Sequence, residues 1–278
     1  LKAVCLQPDG DLLNSQNVAL NAEGEFLPQL INFINQIKER HGSFGRLGIA
    51  VPGLVNYLTN RVAFSAHIPA QIEVDFARQI KEQTETEVLV ENDANAAAYG
   101  EYLLGAGRGN QAIFYLTLGV GVGGAIIING EIWHGTSGYA GEFGYMTLDA
   151  HGLKLEEVAS AANIIRRIKN RFHQDHTSSL VEIGEENITI ADVVREANKG
   201  DSFARMMLAR TGMFVGTGVA SVINLLNIEK IIVGGQIMEA ETIVLAAITQ
   251  RARELSFAPS FETTEIVAGE LKDLAASI

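Results

Sequence analysis

Thr117-Leu118-Gly119-Val120-Gly121-Val122-Gly123-Gly124 sets four glycines into six positions of an otherwise apolar, strand-like stretch. Glycine weakens a strand, because it loses the most backbone freedom on folding and brings no side chain to pack. Two readings account for such a run. Bare backbone approaches an anion closely and aims N–H groups at it, or the glycines serve only a tight turn. On either reading residues 113–118 and 124–128 form paired strands, and Asn129-Gly130 closes the next turn.

Working outward toward the N-terminus, Gly105-Ala106-Gly107-Arg108-Gly109 is a break that suggests a domain boundary. Residues 94–104 are alanine-rich and favour helix. Residues 88–90 and 47–51 read as short buried strands, the second stopped by Pro52-Gly53. The apolar spacing of 26–40 and 72–83 is helical. Residues 1–6 and 12–20 form a hairpin around Pro8-Asp9-Gly10. Toward the C-terminus helices are expected over 155–172, 190–198, 203–226 and 241–255, with a strand at 230–233 ending on Gly234-Gly235. Alternation of strand and helix implies an α/β protein with mostly parallel, helix-covered sheets. A smaller domain over 1–107 and a larger one over 108–278 follow.

The chain has 278 residues, 47% of them hydrophobic, with 33 acidic residues against 21 basic ones and a net charge of -12. That charge repels polyphosphate backbones, so no nucleic-acid binding through this chain is expected. The single cysteine, Cys5, excludes an internal disulfide and a multi-cysteine metal site, and suits a reducing cytoplasm. Apolar runs such as 125–128 fall short of the ~20 residues that span a bilayer, so neither membrane nor export is expected. Both ends read as cut: the first residue is Leu1, and 274–278 carry no helix stop signal.

Several stretches carry candidate chemistry. Glu91-Asn92-Asp93 lies between a strand and a helix, at the carboxyl edge of a sheet where ligands bind. Asp93 is either the N-cap of that helix or a general base taking a proton from an attacking hydroxyl. Glu142 stands among small residues in Gly141-Glu142-Phe143-Gly144, as a solvated charge or a ligand contact. Glu156 and Glu157 open a helix, where they complement its dipole. Gly234-Gly235 is either a plain turn or a surface for a flat or phosphorylated group. His173 and His176 lie three apart, but with no second cluster nearby a polar helix end is the expectation and no metal site is assigned.

In order along the chain, Val51-Pro52-Gly53-Leu54-Val55, Glu91-Asn92-Asp93-Ala94-Asn95-Ala96-Ala97, residues 116–124, the loop 141–144 and Ile232-Val233-Gly234-Gly235 resemble the ROK family of repressors and sugar kinases. The resemblance implies a two-domain α/β fold of the actin and hexokinase type (ribonuclease H-like), closing on a cleft between domains. It makes Asp93 the general base and Gly53, Asn92, Glu142 and Glu156 sugar ligands. Thr117, Gly119, Gly121 and Gly123 would contact ATP, with Gly234 and Gly235 flanking the nucleoside, and Mg2+ would enter with the nucleotide. The family's habit implies a homodimer.

Three departures matter. Tyr145 stands where the family has His, and the cysteine cluster that follows it there is missing, so no structural zinc is expected. Val120 replaces a Thr whose hydroxyl helps bind phosphate. The sugar-contacting Asn is not evident around Ala66-His67-Ile68. The leading expectation is an ATP-dependent, glucokinase-like hexose kinase. The alternative is the sugar-sensing domain of a ROK repressor, and a third reading is a sugar binder with little catalysis.

Overall fold

The structure, a computed structural model, describes residues 1–278 apart from 8–9, 22–24, 66–67, 69–73 and 173–176. Pro8 and Asp9 of the expected turn, the start of the 72–83 helix, Ala66 and His67, and the His173–His176 pair lie outside the described residues. The chain divides into two units. One comprises Leu1–Gly100, His134–Ala140 and Leu274–Ile278, the other Glu101–Trp133 and Gly141–Asp273.

In the first unit, β1 (Lys2–Leu6) pairs antiparallel with β2 (Leu12–Asn17), as the hairpin reading expects. Helix α1 (Phe26–His41) buries Leu30, Phe33, Ile34 and Ile37, a spacing of three and four that gathers them on one stripe. β3 (Arg46–Val51) is followed by β4 (Leu54–Asn56) and β5 (Arg61–Phe64), an antiparallel pair. Helix α2 (Phe76–Thr84) starts where the Asp75 side chain accepts the Arg78 N–H. It leads into β6 (Glu87–Asn92), which runs parallel to β3 with Val51 opposite Asn92. That register ends both strands level, so Pro52-Gly53 and Asn92 leave the pair at the same edge. Leu30, Ile34, Val51, Phe76, Ile80 and Val90 form the core beneath it. Helix α3 (Asp93–Leu104) starts directly after β6, and the division between units falls within it.

The second unit is built on one mixed sheet. β7 (Ala112–Leu118) is buried along nearly its whole length, the pattern of a strand covered on both faces. β8 (Val122–Ile128) pairs with it antiparallel, and β9 (Glu131–Ile132) continues through Asn129-Gly130. Both turn residues have positive φ, 54° and 82°, as a two-residue Asn-Gly hairpin turn requires. On the other side β10 (Lys230–Gly234) lies parallel to β7 and β11 (Glu265–Ala268) parallel to β10. β11 was not expected from the sequence.

The helix expected over 155–172 is two. α4 (Glu156–Ala159) stops at Ser160, whose ψ of 154° is extended, and α5 (Ala161–Lys169) restarts. The Ala161 N–H donates to the Gly119 carbonyl at 2.8 Å, so the chain is pinned to the glycine hairpin and cannot continue one helix. Then come α6 (Leu180–Ile183), α7 (Ile190–Lys199) and α8 (Ser202–Leu226), and, after β10, α9 (Glu241–Leu255) and α10 (Ala258–Glu262).

Helices α8 and α9 approach closely because Gly212 and Gly216 have no side chain. A Cβ on Gly212 would stand 2.7 Å from Ala247 Cβ, and one on Gly216 2.6 Å from the Ile248 carbonyl oxygen. α8 is long and apolar enough to cross a membrane by length and composition, which the short apolar runs do not suggest. Most of its apolar window is instead buried inside the protein, where Leu208, Val215 and Val219 join Phe114, Leu116 and Val233.

Candidate functional site

The strand-to-helix junction of the first unit is organised by Asn92. Its Oδ1 accepts the N–H groups of Ala94 at 2.8 Å and Asn95 at 3.0 Å, so Asn92 caps α3. Its Nδ2 donates to the Gly53 carbonyl at 2.9 Å. Asp93, one residue on, begins the helix and is exposed, with its Oδ1 accepting the Ala94 N–H at 3.0 Å. The capping job considered for Asp93 therefore belongs chiefly to its neighbour.

Gly53 sits at φ 134°, and a Cβ there would stand 2.3 Å from the Phe64 carbonyl oxygen, so β4 and β5 demand glycine at this position. The structure thus brings Gly53, Asn92 and Asp93 together.

Behind them lies a network that sequence reasoning missed. One Glu91 oxygen accepts the Asn92 N–H at 2.8 Å and the Asn95 side-chain amide at 2.9 Å. The other meets His134 Nε2 at 2.7 Å, and Tyr57 stacks on the imidazole with ring centroids 4.6 Å apart. Both Glu91 and His134 are largely shielded, their side chains 17% and 20% exposed. Glu91 stood inside the motif as the signal, but its partner lies 43 residues away and no local pattern links them.

In the second unit the glycine run forms the turn between β7 and β8. Leu118 pairs with Val122, and the Gly119 N–H closes the turn on the Gly121 carbonyl at 3.0 Å. The Val122 N–H donates to Glu156 Oε2 at 3.1 Å. Among the described residues, the N–H groups of Val120 and Gly121 have no protein acceptor.

A Cβ on Gly121 would stand 3.1 Å from Glu156 Oε2, whereas one on Gly119 would meet open space. Glu156 thus braces the hairpin besides opening α4. Val120 is 73% exposed.

Gly234 pairs with Thr117, and a Cβ on Gly235 would come within 2.7 Å of Thr117 Oγ1 and 2.4 Å of the Leu118 carbonyl oxygen. Packing of β10 on β7 alone therefore requires Gly235. Thr117, Gly119, Gly121, Gly123, Glu156, Gly234 and Gly235 share one end of the sheet. Glu142 is exposed at the start of the short turn of 3-10 helix Phe143–Tyr145, where Tyr145 N–H bonds its carbonyl.

The zinc-bearing segment of the resemblance does not fit this chain. The Tyr145 ring lies under the Lys154 ammonium, 3.9 Å from Nζ. Thr147 bridges to Lys154, and Asp149 Oδ1 ties the intervening turn by accepting the His151 and Leu153 N–H groups. A phenol, an ammonium and a lone histidine do not supply the nitrogen and sulfur donors of a tetrahedral zinc site. Cys5 lies in β1, in the other unit. Among the described residues no three His, Cys, Asp or Glu side chains are grouped to hold a metal ion.

Comparison with known proteins adds four findings. A glucokinase of Halalkalibacterium halodurans is 34% identical over 216 residues, 73% of this chain and 65% of that protein. The xylose repressor of Bacillus subtilis is 28% identical over 222 residues, 77% of this chain and 54% of that protein. The chain thus spans about two thirds of the first relative and about half of the second.

Among solved structures, the ROK family glucokinase of Streptomyces griseus in complex with glucose and AMPPNP superposes with a TM-score of 0.82 at 26% identity. The match covers 98% of this chain and 91% of that one. The fold is accordingly the two-domain α/β architecture of the actin and hexokinase type. The ROK family model matches residues 2–278, nearly the whole chain, and this chain belongs to the ROK family.

Proposed function

We propose that this chain is the sugar- and nucleotide-binding body of an ATP-dependent hexose kinase. The observation that carries the reading is the division of labour at the end of β6. Asn92 caps α3 and ties it to Gly53, so the exposed Asp93 beside it is not needed as the cap. In the reaction a sugar hydroxyl oxygen attacks the γ-phosphorus as its proton passes to the Asp93 carboxylate. The new O–P bond forms while the bond to the β-phosphate oxygen breaks, and ADP leaves.

Gly53, Asn92, Glu142 and Glu156 are the proposed sugar ligands. The N–H groups of Val120 and Gly121, with the open Cα of Gly119, are the proposed phosphate contacts. Thr117, Gly123, Gly234 and Gly235 complete the nucleotide site in this reading. Mg2+ would arrive on the nucleotide's phosphates and neutralise their charge. A homodimer in the cytoplasm belongs to the same proposal.

A second reading, the sugar-sensing domain of a repressor, is favoured by Val120, which offers no hydroxyl at the turn of the glycine hairpin. The two separate on one screen of hexoses with ATP and Mg2+. Sugar-dependent ADP release supports the kinase. Sugar binding by calorimetry without ADP release from any hexose installs the sensor.

A further inference from the structure

Carboxylates are plentiful in this chain, 33 against 21 basic residues, and Arg61, Arg108, Arg195 and Arg251 each hold at least one. Six arginines of the second unit have no such partner among the described residues: Arg205, Arg253 and four whose charges act on one another. Those four are Arg166 and Arg167 on α5, Arg171 just beyond it and Arg210 on α8.

Arg167 Nη2 donates to Thr211 Oγ1 at 2.5 Å, and the Thr211 hydroxyl in turn donates to the Met207 carbonyl at 2.9 Å. The Nε and Nη1 of Arg167 are buried and meet no acceptor among the described residues. The guanidiniums of Arg167 and Arg210 both lie over the Phe214 ring, 5.6 and 5.9 Å from its centroid. Arg166, exposed, spends Nη2 on the Glu157 carbonyl at 3.2 Å. Burial, and then the neighbouring charges of Arg210, Arg171 and Arg166, lower the Arg167 pKa from the usual guanidinium range to about 10.

An acidic protein has no evident reason to gather four guanidiniums that no described carboxylate neutralises around one buried pair of unsatisfied donors. We propose that Arg166, Arg167, Arg171 and Arg210 form a binding site for a small oxyanion of the phosphate class. A guanidinium presents paired N–H groups that match two oxygens of such an anion. Exposed Arg166 and Arg210 provide the approach. Arg210 shares the Phe214 ring with Arg167, whose unmet donors are buried and so suit a small anion rather than a bulky acidic partner. Phosphate cancels the mutual repulsion and satisfies donors that the protein leaves unmet. The site uses none of the residues assigned to sugar or nucleotide, so it stands whether or not the kinase reading holds.

The test is titration of the full chain with inorganic phosphate, against chloride at equal ionic strength, read by calorimetry and by the unfolding midpoint. Phosphate is expected to raise the midpoint saturably. In the Arg166→Ala/Arg210→Ala double variant its dissociation constant should weaken roughly tenfold or more, two charge-assisted contacts being lost. The double variant in chloride should melt no lower than the parent, because repulsion is relieved. Arg210→Lys should recover part of the binding.

Phosphate that stabilises no more than chloride overturns the proposal. So does an equal effect in the double variant, which would put the phosphate on the glycine hairpin or elsewhere. If the double variant fails to fold, Arg166→Gln and Arg210→Gln singly make the same comparison.

Discussion

Replacing Asn92 by alanine removes two jobs from one side chain. The cap on α3 vanishes, since Oδ1 no longer accepts from Ala94 and Asn95; loss of an N-cap costs about 1 kcal/mol. The Nδ2 bond at 2.9 Å to the Gly53 carbonyl also goes, which costs about 1 kcal/mol more and leaves a half-buried acceptor unmet. The sum is about 2 kcal/mol, and for a chain of this size each kcal/mol lowers the unfolding midpoint by about 2–4 °C.

A drop of about 4–8 °C is therefore expected by calorimetry. Serine at the same position keeps a capping oxygen but cannot reach Gly53, so Asn92→Ser should recover about half of the loss. Amide exchange at Ala94 and Asn95 should quicken in the alanine variant and slow again in the serine one. An alanine variant melting within about 1 °C of the parent would refute the reasoning, because neither bond would then matter to stability. Equal melting of the alanine and serine variants would refute the cap alone.

Three further outcomes follow from other parts of the structure. Glu101, 1% exposed, accepts the N–H groups of Ala106, Glu270 and Leu271 at 2.9, 3.1 and 2.8 Å. Glu101→Gln should lower stability by about 2–5 kcal/mol in urea titrations, because one amide oxygen cannot serve three donors. Treatment with a chelator should leave the unfolding midpoint unchanged, since Tyr145, Lys154 and the Asp149 turn replace a zinc-held segment; a fall in the midpoint with release of zinc would contradict this.

For Asp201, burial pushes the carboxyl pKa up, but the N–H groups of Ala204 and Ser179 and the Ser178 and Ser179 hydroxyls outweigh it, holding the pKa below 3.8. Its charge therefore adds stability above that value and loses it as pH falls through the depressed folded pKa. Asp201→Asn keeps the cap oxygen on α8 and should flatten the acid limb of stability against pH.

What the sequence disclosed and what it withheld divide by distance along the chain. The β7–β8 hairpin and the Asn129-Gly130 turn were legible because their hydrophobic runs and turn residues are contiguous. The stripe of Leu30, Phe33, Ile34 and Ile37 on α1 was legible by its spacing. The break at Ser160 was not, since alanines continue the helical pattern on both sides and the cause is a bond to Gly119, some forty residues back. β11 escaped because its four residues are only half-buried at a sheet edge and carry no alternation long enough to read.

At the candidate site the motif pointed to Asn92 and Asp93, yet only the structure shows which of the two caps α3. The Glu91–His134–Tyr57 network needed the fold itself, because a hydrogen bond across 43 residues leaves no local mark. Gly235 shows the converse: a glycine read as a nucleotide contact is already demanded by Leu118 and Thr117.

The central claim is that Asp93 takes the proton from the sugar. Its most direct test is sugar-dependent ADP release by the full protein and by Asp93→Asn, with hexose affinity of both measured by calorimetry. The account predicts that the variant still binds sugar but releases ADP about 10²- to 10⁴-fold more slowly, the usual worth of a positioned base. Turnover by the variant equal to the parent's, or no sugar-dependent release by the parent with any hexose, would contradict it.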